Sequence, residues 1–271
     1  MFIRLLAIFF LLATHYIYAG ESVRLLSTTS TRDSGFLDYI LPMFEREYNI
    51  KVLPIILGTG QALAAAQNCD GDILLTHAPK LEKEFVNNNY GIIRTPFMYN
   101  DFVVIGPKED KFKINNNDNV LDVFETIKKN KLKFISRGDN SGTNFSELLI
   151  WDKITFNPSV NDRSWYLQSG QGMGATLNIA VGMNAYTYSD RSTWIKFQNK
   201  QQHKILFQGD RHLLNEYSII ILNNEKCPHI KQDSAIKLYK WITSPKTKDI
   251  INNYEINGSQ VFFTNYKLSN D

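Results

Sequence analysis

An α/β fold with mainly parallel sheets is what the sequence predicts, and three observations predict it. Short apolar strands alternate with helical segments along most of the chain, the pattern of layered α/β proteins. The 271 residues are 43% hydrophobic and 21% charged, with 15 Gly and 8 Pro, which excludes disordered, collagen-like and disulfide-dense classes. That length holds one large domain or two of ordinary size, each able to bury its own core.

The N-terminus reads as an export signal. Met1 to Arg4 is a short positive region, Leu5–Ala13 (LLAIFFLLA) is apolar, and small residues follow at Ala19 and Gly20. Crossing a hydrocarbon core takes about 20 apolar residues, so this stretch is too short to span one. The expectation is a signal peptide over 1–20, cut near Ala19 or Gly20, and a mature protein released into the periplasm. In that oxidising compartment Cys69 and Cys227 either pair or stand as two buried thiols, and the sequence leaves both open.

The elements follow in order. Ser22–Ser27 is a short strand, then Phe36–Tyr48 a helix with Phe36, Leu37, Ile40, Leu41 and Phe44 on one face. Ser34 is its expected N-cap and Pro42 its expected kink. Lys51–Leu57 and Asp72–Thr76 are strands, with helices over Gln61–Gln67 and Lys80–Asn88. Asp101–Ile105 is a strand, Val120–Lys129 a helix, Lys133–Ser136 a strand, and Ser146–Lys153 and Gly174–Met183 are helices. Ile205–Phe207 and Tyr217–Leu222 are strands, and Ser234–Tyr254 is helical, restarting at Pro245.

In open α/β sheets ligands sit beyond the carboxyl ends of strands, at helix N-termini. The first strand ends in Ser27-Thr28-Thr29-Ser30-Thr31, the second in Gly58-Thr59-Gly60. The Lys133–Ser136 strand runs into Arg137-Gly138-Asp139-Asn140-Ser141-Gly142-Thr143. Ser169-Gly170-Gln171-Gly172-Met173-Gly174 precedes the next helix but one. Each loop offers hydroxyls or backbone N–H groups, and one adds an arginine. One such loop is ordinary turn chemistry. Four in succession describe a donor-lined pocket for a small anion.

Other functions fit worse. A formal charge of +3 provides no field for nucleic acid, and two cysteines are too few for a Cys-based zinc site. The five histidines lack metal-ligand spacing, no base or orienting acid accompanies Ser141, and no P-loop is present. Neither catalysis nor a cofactor is expected.

Thr28-Thr29-Ser30, the Ser136–Thr143 run and Gly170-Gln-Gly-Met-Gly174-Ala-Thr-Leu-Asn closely resemble the tungstate-binding proteins of bacterial ABC importers. His77-Ala-Pro79, Met98-Tyr-Asn-Asp101, Asp190-Arg191 and Asn257-Gly258 extend the resemblance over essentially the whole mature chain. It implies a two-lobed, type II periplasmic binding-protein fold, each lobe a mainly parallel sheet flanked by helices, with the ligand cleft between. Its hinge crossings would lie near Met98–Ile105 and Asn215–Leu222, giving lobe one as 21–98 plus 217–271 and lobe two as 99–216. The implied partners are a membrane permease and its ATPase, with the protein itself a monomer.

By motif, Thr28, Thr29, Ser30, Gly58 and Thr59 would line one half of the cleft. Arg137, Ser141, Gly142 and Thr143 would line the other, with backbone donors from Gly172, Met173 and Gly174. Asp139 would orient Arg137 or cap the next helix. Phosphate-binding proteins resemble the same Arg137 loop, but there a carboxylate stands where this chain has His77, to accept the proton of phosphate. A fully deprotonated dianion needs no such acceptor. Phosphate, molybdate or sulfate capture, and a periplasmic oxyanion sensor, are the alternatives that the sequence keeps open.

Overall fold

The computed structural model describes residues 20–158 and 164–264. The expected signal peptide lies outside the described residues up to Ala19. Among the described residues no helix is long and apolar enough to cross a membrane.

The chain begins with β1 (Ser22–Thr28), a one-turn helix α1 (Thr29–Asp33) and α2 (Phe36–Tyr48). The expected cap of α2 is displaced by one residue. Gly35, at φ 81°, takes the N-cap position, while Ser34 Oγ accepts from Phe36 N–H at 3.4 Å. A left-handed backbone is accessible to glycine at little cost, which explains Gly35 there. Helix α2 runs unbroken through Pro42.

Next come β2 (Lys51–Leu57), α3 (Thr59–Gln67), β3 (Ile73–Thr76) and α4 (Pro79–Asn87). Strand β2 pairs with β1 alone, at the edge of the sheet, where Pro54 removes no ladder bond from a central position. Strand β4 (Gly91–Pro107) is much longer than the expected Asp101–Ile105. It is followed by α5 (Val120–Lys129), β5 (Phe134–Ser136), α6 (Gly142–Lys153), β6 (Tyr166–Gln168) and α7 (Met173–Gly182). Helix α5 buries Val120, Val123, Phe124 and Ile127, one stripe at helical spacing, and Asn119 caps it by accepting from Asp122 N–H. Then follow β7 (Tyr186–Asp190), α8 (Arg191–Lys196), β8 (His203–Phe207), β9 (Leu214–Leu222), α9 (Gln232–Ile242) and α10 (Pro245–Asn252).

The main sheet has the order β2-β1-β3-β9-β4-β7-β5-β6, with β8 also on β4. β1 pairs parallel with β2 and β3, and β5 pairs parallel with β6 and β7. Between these two parallel groups lie β9 and β4, antiparallel to each other and to their outer neighbours. Along β4 the partner changes: Asp101 is opposite Leu214 of β9, and Phe102 is opposite Asp190 of β7. The two lobes therefore share their longest strand.

The buried apolar residues separate in the same way. Val23, Phe36, Phe44, Ile73, Tyr217, Trp241 and Phe262 belong to one cluster; Phe102, Phe124, Phe134, Trp151 and Leu206 belong to another. Cys69 and Cys227 form a disulfide, Cα atoms 5.5 Å apart, beside the smaller cluster around Leu26 and Ile220.

Candidate anion-binding cleft

Three helices begin directly at the hydroxyl- and glycine-rich loops. α3 starts at Thr59 after its N-cap Gly58, α6 at Gly142 after its N-cap Ser141, and α7 at Met173 after its N-cap Gly172. The first turn of a helix carries N–H groups without intrahelical partners, and its dipole favours negative charge. α6 begins four residues earlier than the sequence pattern indicated, so Gly142 and Thr143 lie in its first turn. Their small and polar side chains hide the helical period there.

Five buried side-chain polar atoms among the described residues have no hydrogen-bond partner, and three belong to expected ligand residues: Thr59 Oγ1, Arg137 Nε and Thr143 Oγ1. A buried donor without a partner costs about 1–3 kcal/mol, so such groups are rare unless something else engages them. An oxyanion is acceptor-only and suits two hydroxyls and a guanidinium N–H.

Arg137 is 5% exposed. Its Nη2 donates to Asp139 Oδ2 at 2.5 Å, and Asp139 Oδ1 accepts from Ser141 N–H at 3.2 Å. Asp139 thus both orients the guanidinium and holds the turn into α6. Ser141 Oγ accepts from Asn144 N–H, leaving its own proton uncommitted. Gly58 N–H is taken by Gln61 Oε1 at 3.1 Å, so the free backbone donors at the start of α3 come after it. The loop before α7 is tied to the Arg137 loop: Ser169 N–H donates to Ser136 O and Gly170 N–H to Arg137 O. Gly172 itself is exposed, and space is open beside it and Gly174.

On the other lobe, Thr28 and Ser30 are buried at the end of β1 and start of α1, with Thr29 half-buried. Ser30 Oγ lies 3.1 Å from Thr28 Oγ1, 3.2 Å from His77 Nε2 and 3.2 Å from Tyr217 Oη, which donates to it. His77 follows β3 and stacks on Tyr217, ring centroids 4.8 Å apart. Its ring also reaches the facing lobe. A Cβ placed on Gly142 would stand 2.5 Å from His77 Cε1, closer than real Cβ contacts come. His77 and Gly142 thus bring the two lobes into contact at the start of α6. Gly142→Ala is expected to obstruct this approach and weaken ligand affinity about 10- to 100-fold, the scale of local overpacking. Calorimetric titration checks it; an affinity within threefold of wild type means the ring yields.

Behind the Arg137 loop, Glu147 of α6 is fully buried and accepts from Ser136 Oγ (2.6 Å), Tyr166 Oη (2.8 Å) and Trp151 Nε1 (2.9 Å). Ser136 in turn accepts from Asn144 Nδ2, which ties Glu147 to the loop. Burial pushes its carboxyl up to about 7 despite those donors, with the Asp139 charge adding to the rise. Burial holds His77 down to about 4, opposed by its bond to Asn215 and the charge of Asp190.

The signs are opposite. Glu147 contributes stability below its unfolded pKa of about 4.5 that is lost as pH rises to about 7. His77 contributes stability above about 6.5 that is lost as pH falls towards 4. Glu147→Gln removes only the first. The stability of the variant relative to wild type should therefore improve with pH by up to about 1.4 kcal/mol per unit between 4.5 and 7. Denaturant melts across that range test it, and a difference independent of pH would contradict the assignment.

Sequence reasoning missed the residues that support His77. Asn100, Tyr217, Asn215 and Ser192 are buried and hydrogen-bonded near it, but the bonds that join them across the fold span 92 to 187 residues of chain. The only available signal was polar residues inside strand segments.

The fold, two parallel strand groups joined through β9 and β4, defines the class, a two-lobed solute-binding protein. Residues 19–246 match the model of the PBP superfamily domain. The tungstate-binding protein TupA of Campylobacter jejuni is 38% identical over 248 residues, 89% of this chain and 90% of that protein. The solved tungstate-binding protein TupA of Desulfovibrio alaskensis G20 is 39% identical with a TM-score of 0.81, covering 91% of this chain and all of that one. A tungstate ABC transporter structure from Geobacter sulfurreducens is 40% identical with a TM-score of 0.78, covering 86% of this chain and 99% of that one. The chain belongs to the PBP superfamily and, within it, to the family of the tungstate-binding protein TupA.

Proposed function

We propose that this protein captures tungstate in the periplasm, as a monomer, and delivers it to the permease of an ABC importer driven by a cytoplasmic ATPase. The observation that carries the reading is the set of unpartnered buried groups on Thr59, Arg137 and Thr143, which suits a ligand that only accepts hydrogen bonds. The names of the relatives support tungstate as that ligand. No reaction is assigned to the protein.

In this reading lobe one comprises about 21–98 and 217–271, and lobe two about 99–216. The change of β4 from β9 to β7 at Asp101 and Phe102 supports a boundary within a few residues of these. Thr28, Thr29, Ser30 and Thr59 act from lobe one, with Gly58, whose N–H is held by Gln61, shaping the turn into α3. Arg137, Ser141, Gly142, Thr143, Gly172, Met173 and Gly174 act from lobe two. An anion gripped by both lobes stabilises the closed form by its differential affinity for closed over open, and the permease recognises that form.

Titration of the protein from residue 21 onward with tungstate, molybdate, sulfate and phosphate tests the proposal. Tight tungstate binding, with molybdate weaker and phosphate silent, is expected. Preference for phosphate would reassign the site, and silence with all four would mean that the loops do not form one site.

A further inference from the structure

A directed chain of hydrogen bonds runs from His77 to Asp190 through the strands shared by the two lobes. Asp190 is 1% exposed, and its carboxylate accepts from Ser192 Oγ at 2.5 Å and from Thr193 N–H and Oγ1 at 2.9 and 2.7 Å. Ser192 spends its single proton there, so its oxygen accepts from Asn100 Nδ2 at 3.5 Å. That fixes the Asn100 amide, whose Oδ1 accepts from Asn215 Nδ2 at 2.6 Å. Asn215 Oδ1 is thereby turned to His77 Nδ1, 2.8 Å away. His77 must donate from Nδ1, which leaves Nε2 as its remaining basic atom, 3.2 Å from Ser30 Oγ. A hydroxyl that donates to Nε2 cannot give the same proton to an anion.

The charges in the cleft point the same way. Arg137 is the cationic side chain among the expected ligand residues, and Asp139 is paired with it. A double negative charge held between the lobes is therefore poorly balanced. The groups facing His77 are Tyr217 and Asn215 from β9, Ser30 from α1 and Gly142 from α6, none of them charged, with the Arg137 and Asp190 charges acting from further off.

We propose that His77 takes up one proton on Nε2 when a doubly charged oxyanion binds, becoming a histidinium that donates to Ser30 and frees the Ser30 hydroxyl for the anion. The proton comes from solvent, and the Asp190 relay stabilises the new charge through Nδ1. This rests on the tungstate reading of the cleft and makes His77 a positioning residue that acts through Ser30. Burial keeps the ring neutral at pH 7.5 without ligand, so the ring has a full proton to gain on binding.

The test is calorimetric titration of the wild-type protein with sodium tungstate at pH 7.5, in buffers of differing ionisation enthalpy. Close to one proton should be taken up per tungstate, and affinity should fall up to tenfold per pH unit between pH 7 and 9. His77→Gln should abolish the uptake and flatten the pH profile. Glu147, the other buried titratable group behind the loop, is the rival acceptor, and Glu147→Gln should leave the uptake unchanged. Tungstate binding to wild type with no buffer dependence would overturn the proposal, as would uptake lost in Glu147→Gln and kept in His77→Gln. Nitrogen-15 shifts of the wild-type imidazole, with and without tungstate, report the same event should His77→Gln fail to fold. Absence of tungstate binding by equilibrium dialysis is the separate result that defeats the tungstate reading itself.

Discussion

Arg137→Ala is expected to weaken tungstate binding by about 2–5 kcal/mol, roughly 30-fold to several thousand-fold, the scale of truncating one partner of a buried charge pair. The guanidinium is 5% exposed and fixed at Nη2 by Asp139, while Nε is buried without a partner. Its planar fork can serve Asp139 with one nitrogen and the anion with another, which a lysine ammonium cannot reproduce in the same geometry. Arg137→Lys should therefore fall between wild type and alanine. The measurement is affinity by calorimetry, with circular dichroism to confirm the fold, because the alanine variant also leaves Asp139 unpaired. Asp139→Asn separates the two effects: it frees Arg137 from its carboxylate while keeping the charge. An alanine variant within about threefold of wild type would remove Arg137 from contact with the ligand.

How much of this was legible in the sequence depends on the range of the interaction concerned. Local signals served well. β2 over Lys51–Leu57 and α5 over Val120–Lys129 coincide with the sequence reading, the first as a short apolar run and the second because period and cap agree. The donor-rich loops were also legible, since their chemistry is carried by consecutive residues. The first ten residues of β4 were not, because Arg94, Thr95, Pro96 and Asn100 interrupt the apolar run, and long-range pairing with β9 overrides local preference.

Strand β7 (YTYSD) was missed for a related reason. All five residues are buried, yet three are small or acidic, so their composition resembles a turn. Thr187 and Asp190 are tolerated inside because Thr187 Oγ1 donates to Ile135 O and Asp190 caps α8. His77 is the intermediate case. Its place in the loop after β3 was readable, whereas its bond to Asn215, 138 residues away, carries no local period.

Loss of the Cys69–Cys227 bond is expected to lower stability by about 2–5 kcal/mol while leaving ligand affinity within threefold of wild type. The bond spans a sequence separation of 158 residues, and the chain-entropy argument makes long closures the most stabilising, near 5 kcal/mol at its ceiling. Cys227 is 1% exposed within the cluster of Leu26, Leu63, Leu74 and Ile220, so packing also suffers when the bond is cut. Affinity should survive because the bond joins the segment after α3 to the segment after β9, both within the proposed lobe one. In the proposed arrangement it holds the returning chain to its own lobe and does not bridge the two lobes. Cys69→Ala with Cys227→Ala avoids introducing a buried hydroxyl, and a domain of this size should melt roughly 5–20 °C lower. Calorimetric melting of the oxidised protein, the reduced protein and the double variant makes the comparison. Coincident melts would mean that the packed core of lobe one already fixes these segments. A lower affinity with an unchanged melt would place the bond in the closing motion instead, and the boundary of lobe one near Tyr217 would have to move.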